Sequence, residues 1–344
     1  RFIDQVEARG IPCITDATVI DITRDKRVTA ASREGLVEIQ AKAVILSMGC
    51  RERTRGAIRI PGDRPAGVYT AGVAQAYINL QNRMVGREVV ILGSGDIGMI
   101  MARRLTLEGA HVVGVFEVQP YASGLPRNIL QCLDDYGIPL YLSHTVTQIK
   151  GKERLESVVI SQVDDNRNPI PGTETEYPCD TLILSVGLIP ENELSLSAGA
   201  EMDRGSSGPV VDEHHQTTVP GIFAAGNVLQ VHDLVDFVSA EAEELADSAA
   251  AYLQAGSLSE CRLQVLTDGS VTHAVPRKIS GEADFTLSFR VRKPAKNCRI
   301  RLVQGGETVF EKKMAKAIPA EMIQIPVKAS WLKKNEDLEV KVEW

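Results

Sequence analysis

Val89-Val90-Ile91-Leu92-Gly93-Ser94-Gly95-Asp96-Ile97-Gly98 is the stretch on which the fold turns. Four apolar residues read as a buried strand, and Gly93, Gly95 and Gly98 then make a G-x-G-x-x-G turn. A helical pattern runs from about Asp96 to Glu108. A second apolar strand, His111 to Phe116, ends at Glu117, 19 residues beyond Gly98. Strand, glycine turn, helix, strand and terminal acid together are a dinucleotide-binding fingerprint. Gly93 permits the tight turn, Gly95 lets the backbone approach a pyrophosphate, and Gly98 lets the helix pack close to the strand. The helix start offers N–H groups and a positive dipole end to the phosphates. Glu117 is expected to accept hydrogen bonds from the adenosine ribose and to repel a 2′-phosphate, which favours NAD over NADP. The expected nucleotide contacts are therefore Gly93, Ser94, Gly95, Asp96, Ile97, Gly98 and Glu117.

The whole chain sets wider bounds. Its 344 residues suggest two or three domains, and 44% hydrophobic content is ordinary for a globular protein. No apolar run is long enough to span a membrane. The chain opens Arg1-Phe2-Ile3-Asp4 without a basic-then-apolar signal segment. Six cysteines, at 13, 50, 132, 179, 261 and 298, show neither C-x-x-C nor metal-ligand spacing, so no metal is expected. Reduced thiols and a cytoplasmic location are the simplest reading. From Arg262 onward 16 basic residues face 10 acidic ones, while the remainder carries 22 against 35. That asymmetry supports a separate C-terminal domain. No nucleic-acid motif is visible, so nucleic acid is not an expected partner.

Around the fingerprint, short strands are expected near 18–22, 28–31 and 37–40. The apolar strand Ala43 to Ser47 follows, then a basic loop from Arg51 to Val68 and a helix over 71–82. Beyond the fingerprint come a helix from Leu125 to Tyr136 and strands near 139–142, 146–150 and 155–163. A polar turn region spans Asn166 to Pro178. Asp180 to Gly187 is another buried strand ending at glycine, and Gly187 joins the expected nucleotide contacts. Pro220 to Asn227 repeats that signature before a long amphipathic helix from about Leu234 to Leu253. From Arg262 the period becomes nearly pure alternation, with Gly305-Gly306 as a hairpin turn. Short strands without a helix predict a small β-sandwich, whose expected role is packing or docking.

Three spaced motifs carry a family resemblance: Ala43 to Gly49, Gly93 to Gly98, and Thr217 to Asn227. Over roughly residues 1 to 255 the chain resembles the flavoprotein oxidoreductases of the pyridine nucleotide–disulfide reductase type. The resemblance implies an α/β architecture of Rossmann-like domains, with an NAD domain inserted in an FAD domain. Residues 1–83 and 200–258 would be FAD-binding, 84–199 NAD-binding, and 260–344 the β-sandwich. It implies FAD and NAD(H) as cofactors, with Ser47, Gly49, Gly226, Asn227 and Val228 at the flavin nucleotide. The phrases Gly49 to Gly56 and Gly226 to Asp233 are similar to a branch of NAD/FAD-dependent oxidoreductases that accompany a partner dehydrogenase flavoprotein. The family is often dimeric, so a homodimer is one expected arrangement.

Two departures stand out. A second G-x-G-x-x-G near the N-terminus is absent, so the chain is expected to begin partway through the FAD domain. Asn227 also stands where the family usually has an aspartate on the ribityl chain; Asn still accepts or donates one hydrogen bond. The expected reaction passes hydride between NAD(H) and flavin, with the helix after Asn227 aiming its positive end at the reduced ring. His232 and Asp233 are the candidates at the flavin edge; against that role stand a surface position, or, for Asp233, the helix N-cap. Cys50 lies among Arg51, Arg53 and Arg55, which would lower a thiol pKa, or it simply fills the turn. The open alternative is a non-catalytic NAD-binding or docking module.

Overall fold

The computed structural model describes residues 2–333 and 335–344. The chain forms two compact units. One comprises Cys50–Ile189 with Ile318–Glu321; the other comprises Arg1–Gly49, Pro190–Ala317 and Met322–Trp344.

The Cys50–Ile189 unit is built on a five-stranded parallel sheet. Its order is Val68–Thr70, Thr181–Leu184, Glu88–Leu92, His111–Glu117, Leu140–Leu142. All four pairings are parallel. A parallel sheet is stable when both faces are covered, and the central strand shows how. Val89 and Ile91 point into a cluster with helices Ala71–Gln81 and Asp96–Leu107. Val90 and Leu92 point the other way, into a cluster with an antiparallel sheet of His144–Gly151, Leu155–Gln162 and Thr175–Pro178. Each such side chain, fully buried, contributes about 2 kcal/mol.

Three expectations change here. The helix predicted from Leu125 is Pro126–Cys132 followed by a 3-10 turn, Asp134–Tyr136, that Gly137 ends at φ 64°. The polar region after Asn166 ends in the strand Thr175–Pro178, whose largely exposed side chains leave no apolar alternation to read. The expected basic loop contains the strand Cys50–Glu52 and the short helix Arg55–Ile58.

The other unit starts with an antiparallel sheet of Ala17–Ile22, Arg27–Ser32 and Gly35–Gln40. Next to it in sequence, Val44–Leu46 pairs in parallel with Ile222–Ala224. The helix Val235–Ala255 follows. The C-terminal residues form a sandwich of two sheets. One holds Lys278–Ile279, Leu263–Thr267, Leu338–Glu343, Ala295–Gln304 and Glu307–Ala317; the other holds Val271–Val275, Phe285–Val291 and Ile323–Val327. Both sheets feed one apolar core containing Phe285, Leu287, Phe289, Ile300, Leu302 and Val340. Gly305 and Gly306, at φ 55° and 80°, turn the longest hairpin. Among the described residues, no helix is long and apolar enough to cross a membrane.

Candidate functional site

The glycine turn lies at the C-terminal end of Glu88–Leu92, where ligands bind in open parallel sheets. Its three glycines have three separate physical reasons. Gly93 has φ 97°, and a Cβ there would stand 2.1 Å from the Ser185 carbonyl oxygen. A Cβ at Gly98 would stand 2.6 Å from Ser185 Cβ. Gly95 has φ −63°, and the nearest atom its Cβ would meet is Ser185 Oγ, at 3.2 Å. Gly93 and Gly98 are thus required by the neighbouring strand end, whereas a Cβ at Gly95 would meet chiefly the Ser185 hydroxyl. Ser185 also holds the turn: its N–H donates to Leu92 O at 2.7 Å, and its Oγ accepts from Gly98 N at 3.0 Å.

Glu117 faces back into this turn and is buried. Its Oε2 accepts from Ser94 N at 3.0 Å, from Ser94 Oγ at 2.6 Å and from Ser123 Oγ at 2.6 Å. Its Oε1 accepts from Gln119 N at 2.9 Å, so that oxygen retains the spare acceptor capacity. Asp96, first in its helix, accepts on Oδ1 from Leu125 N at 2.8 Å and from Asn128 Nδ2 at 2.6 Å. Both acids therefore brace the turn against residues 123–128. Sequence spacing pointed to neither Ser123 nor Asn128, because their partners at the turn are some thirty positions away. A cleft of about 650 Å³ opens beside the turn, lined among others by Gly93, Gly95, Glu117, Ser123 and Gly187. Gly187 has φ 97°, and its carbonyl accepts from Arg53 N at 3.0 Å. Ile97, in the first turn of the helix, is exposed.

In the other unit, the parallel pairing of Val44–Leu46 with Ile222–Ala224 brings two more predicted segments together. Ser47 to Gly49 and Gly226 to Val228 leave the same end of adjacent strands. Gly49 and Gly226 have φ 74° and 75°. Gly226, Asn227 and Val228 form a 3-10 turn.

A buried acid anchors that turn. Glu241 Oε1 accepts from Gly226 N at 2.6 Å; Oε2 accepts from Gln230 Nε2 at 3.0 Å and His232 Nε2 at 3.1 Å. Burial alone would push the Glu241 carboxyl up. The bond and charge of His232, the charge of His215 and the Gln230 amide outweigh it and hold the pKa below the ordinary 4.5. The ring of His232 is 1% exposed, which removes the surface reading. His232 Nδ1 and Gln230 Oε1 have no hydrogen-bond partner among the described residues. Asn227 Oδ1 accepts from His232 N at 3.0 Å. Glu241 was legible in one respect: it shares the buried stripe of Leu245 and Ala249 at four-residue spacing.

Asp233 is not the helix cap. The helix begins at Val235 with Leu234 at the cap position and no side-chain cap. Asp233 instead accepts from Arg290 at 3.0 Å and from Met322 N at 3.3 Å, so it ties to the β-sandwich. Two of the arginines near Cys50 in sequence have partners elsewhere. Arg55 is turned onto the carbonyls of Ile60, Gly62 and Asp63, and Arg53 lies at Gly187. Cys13, Cys132, Cys179, Cys261 and Cys298 are free thiols.

Comparison with known proteins agrees with this geometry. A model of the family described as pyridine nucleotide-disulphide oxidoreductase matches residues 3–251. A probable ferredoxin reductase of Castellaniella defragrans is 27% identical over 228 residues, covering 64% of this chain and 51% of its own. An NADH oxidase of Methanocaldococcus jannaschii is 28% identical over 251 residues, covering 69% of this chain and 51% of its own. The crystal structure of T. acidophilum thioredoxin reductase has the same fold, with TM-score 0.57 and 22% identity over 70% of this chain and 74% of that one. The chain spans about half the length of the curated relatives it matches.

Proposed function

The chain belongs to the pyridine nucleotide-disulphide oxidoreductase family, and from that premise we propose a flavin-dependent oxidoreductase that exchanges hydride between NAD(H) and FAD and trades electrons with a partner protein. The observation that carries the reading is the glycine turn at a helix start, where Gly93 and Gly95 line a cleft of about 650 Å³. That volume is in the range of nucleotide and small-molecule sites.

Gly95 and the N–H groups at the start of Asp96–Leu107 would hold the nucleotide pyrophosphate. Ser94, Ile97 and Gly187 complete that site. Glu117 receives the adenosine ribose on Oε1, and its charge disfavours a 2′-phosphate, so NAD(H) is the preferred nucleotide. At the second site, Ser47, Gly49, Gly226, Asn227 and Val228 contact FAD. The positive φ of Gly49 and Gly226 lets the backbone turn there, and Glu241 holds the Gly226 turn from behind. His232, locked on Glu241, keeps its Nδ1 for that site. FAD supplies the hydride exchange itself when bound. The proposed functional division is 1–83 and 200–258 for the flavin, 84–199 for NAD and 260–344 for docking, with residues 50–83 folded in the unit that carries the glycine turn. A relative named as a probable ferredoxin reductase supports a protein electron partner.

The test is the visible spectrum of the purified chain, before and after anaerobic NADH. A flavin spectrum that bleaches is the expected result. A colourless chain that still binds NADH overturns the flavin assignment and leaves a nucleotide-binding module.

A further inference from the structure

Just ahead of the strand Ile222–Ala224, a hairpin tip meets the segment that follows the long helix. Asp212 organises the tip: its Oδ1 accepts from His214 N at 2.9 Å and Gln216 N at 3.0 Å. The side chains of Glu213 and His214 are thereby presented to Cys261. One carboxylate oxygen, one imidazole nitrogen and one sulfur from these three residues lie within 4.8 Å of one another. Three hard-to-soft donors of this kind converge without C-x-x-C or any other ligand spacing in the sequence.

The charge balance supplies a second observation. The Glu213 side chain is 1% exposed. Ser280 gives it two neutral hydrogen bonds, Oγ to Oε1 at 2.5 Å and N to Oε2 at 3.1 Å. Among the described residues no Lys or Arg pairs with it; its ionisable neighbours are His214 Nε2, at 4.0 Å, and the Cys261 thiol, which burial and the charges of Asp212 and Glu213 push up to about 12. Buried carboxylates are normally neutralised by a partner cation or coordinate a metal. A carboxylate with two serine bonds still has unused lone pairs. A cavity of about 380 Å³ reaches Asp212, Ser259 and Cys261, which gives an ion and a water molecule a route in.

We propose that Glu213, His214 and Cys261 bind a divalent transition metal of the zinc class, with water as the fourth ligand. Sulfur and imidazole select zinc or cobalt over magnesium and calcium, which prefer all-oxygen sites. Tetrahedral zinc places its ligand atoms roughly 3.3 to 3.8 Å apart, so the three donors close by less than about 1.5 Å. On binding, the Cys261 thiol loses its proton to solvent, and His214 Nε2 exchanges its 2.8 Å bond to Ser259 Oγ for the metal. Ser280 is the positioning residue that aims Glu213. The metal would pin the hairpin tip 212–216 to the segment 256–262 that leads into the β-sandwich.

The experiment is a cobalt(II) titration of the full chain after dialysis against a chelator, read by absorption. The expected result is one equivalent bound, with a thiolate-to-cobalt charge-transfer band that zinc abolishes. Cys261→Ser should lose the band while circular dichroism stays native. Ser280→Ala should keep the band and weaken binding by roughly 10- to 100-fold, as for loss of a ligand's outer partner. No charge-transfer band in the unmutated chain, or a band of equal strength in Cys261→Ser, overturns the proposal.

Discussion

The turn at Gly93 to Gly98 and the turn at Gly226 to Val228 both follow a parallel strand, yet their glycines answer to different constraints. Acids brace both turns, but at the first the glycines themselves are fixed by shortage of space. Ser185 sits so close that glycine is the only residue that fits at 93 and 98. The second is roomy: a Cβ on Gly226 would come no nearer than 3.6 Å to Val238. It is held by a buried polar network centred on Glu241. The first turn is therefore the one sensitive to added volume, and the second tolerates volume but depends on the hydrogen bonds of Glu241.

The sharpest way to break the contrast is Gly93→Ala. Both its positive φ and its 2.1 Å approach to Ser185 O forbid the new methyl group. The expected loss is about 5 kcal/mol, the exceptional end of single substitutions, and urea unfolding measures it. Glu241→Ala comes next. It leaves Gly226 N, Gln230 and His232 without their shared acceptor inside the protein, which costs about 4 kcal/mol. Because the Glu241 pKa is lowered on folding, its stabilisation is full above the ordinary 4.5 and drains as pH falls through the folded value. A denaturation series below pH 4.5 should show that drain in the parent and not in Glu241→Ala.

The fingerprint was readable because every element of it is local. Strand, glycines, helix, second strand and Glu117 follow each other within about thirty residues. What the glycines avoid was not readable, since Ser185 lies some ninety residues further on and reaches the turn only through the pairing of Thr181–Leu184 with Glu88–Leu92. The placement of Ser47, Gly49, Gly226 and Asn227 at one strand end followed from motif order. The roles of His232 and Asp233 did not. Their surroundings are set by Glu241, Arg290 and Met322, partners that no periodicity announces for them. Glu241 itself was visible only as an acid on an apolar helical stripe.

A third prediction extends the polar side of the comparison to His273. Burial, and then the charge of Arg290, lowers its pKa from 6.5 to about 4. The unfolded chain takes up a proton below pH 6.5 that the folded chain refuses until about pH 4. Stability is therefore full above 6.5 and falls by about 3 kcal/mol across that window. His273→Phe should flatten the slope between pH 6.5 and 4 in a series of unfolding curves. The smallest effect is expected at Gly49. Its φ is 74° but nothing lies within 4 Å of a Cβ there, so Gly49→Ala should cost only about 1 kcal/mol of backbone strain. A cost near that of Gly93→Ala would mean that the second site is as crowded as the first.

The most direct measurement is calorimetric titration of NADH into the parent chain and into Gly95→Ala. Gly95 has an ordinary φ of −63°, and its new methyl would press mainly on the Ser185 hydroxyl at 3.2 Å, so the variant should fold. If the turn cradles the pyrophosphate, NADH affinity falls by about tenfold or more, equivalent to about 1.4 kcal/mol, while the melting temperature barely moves. Equal affinity in the two proteins would contradict the account.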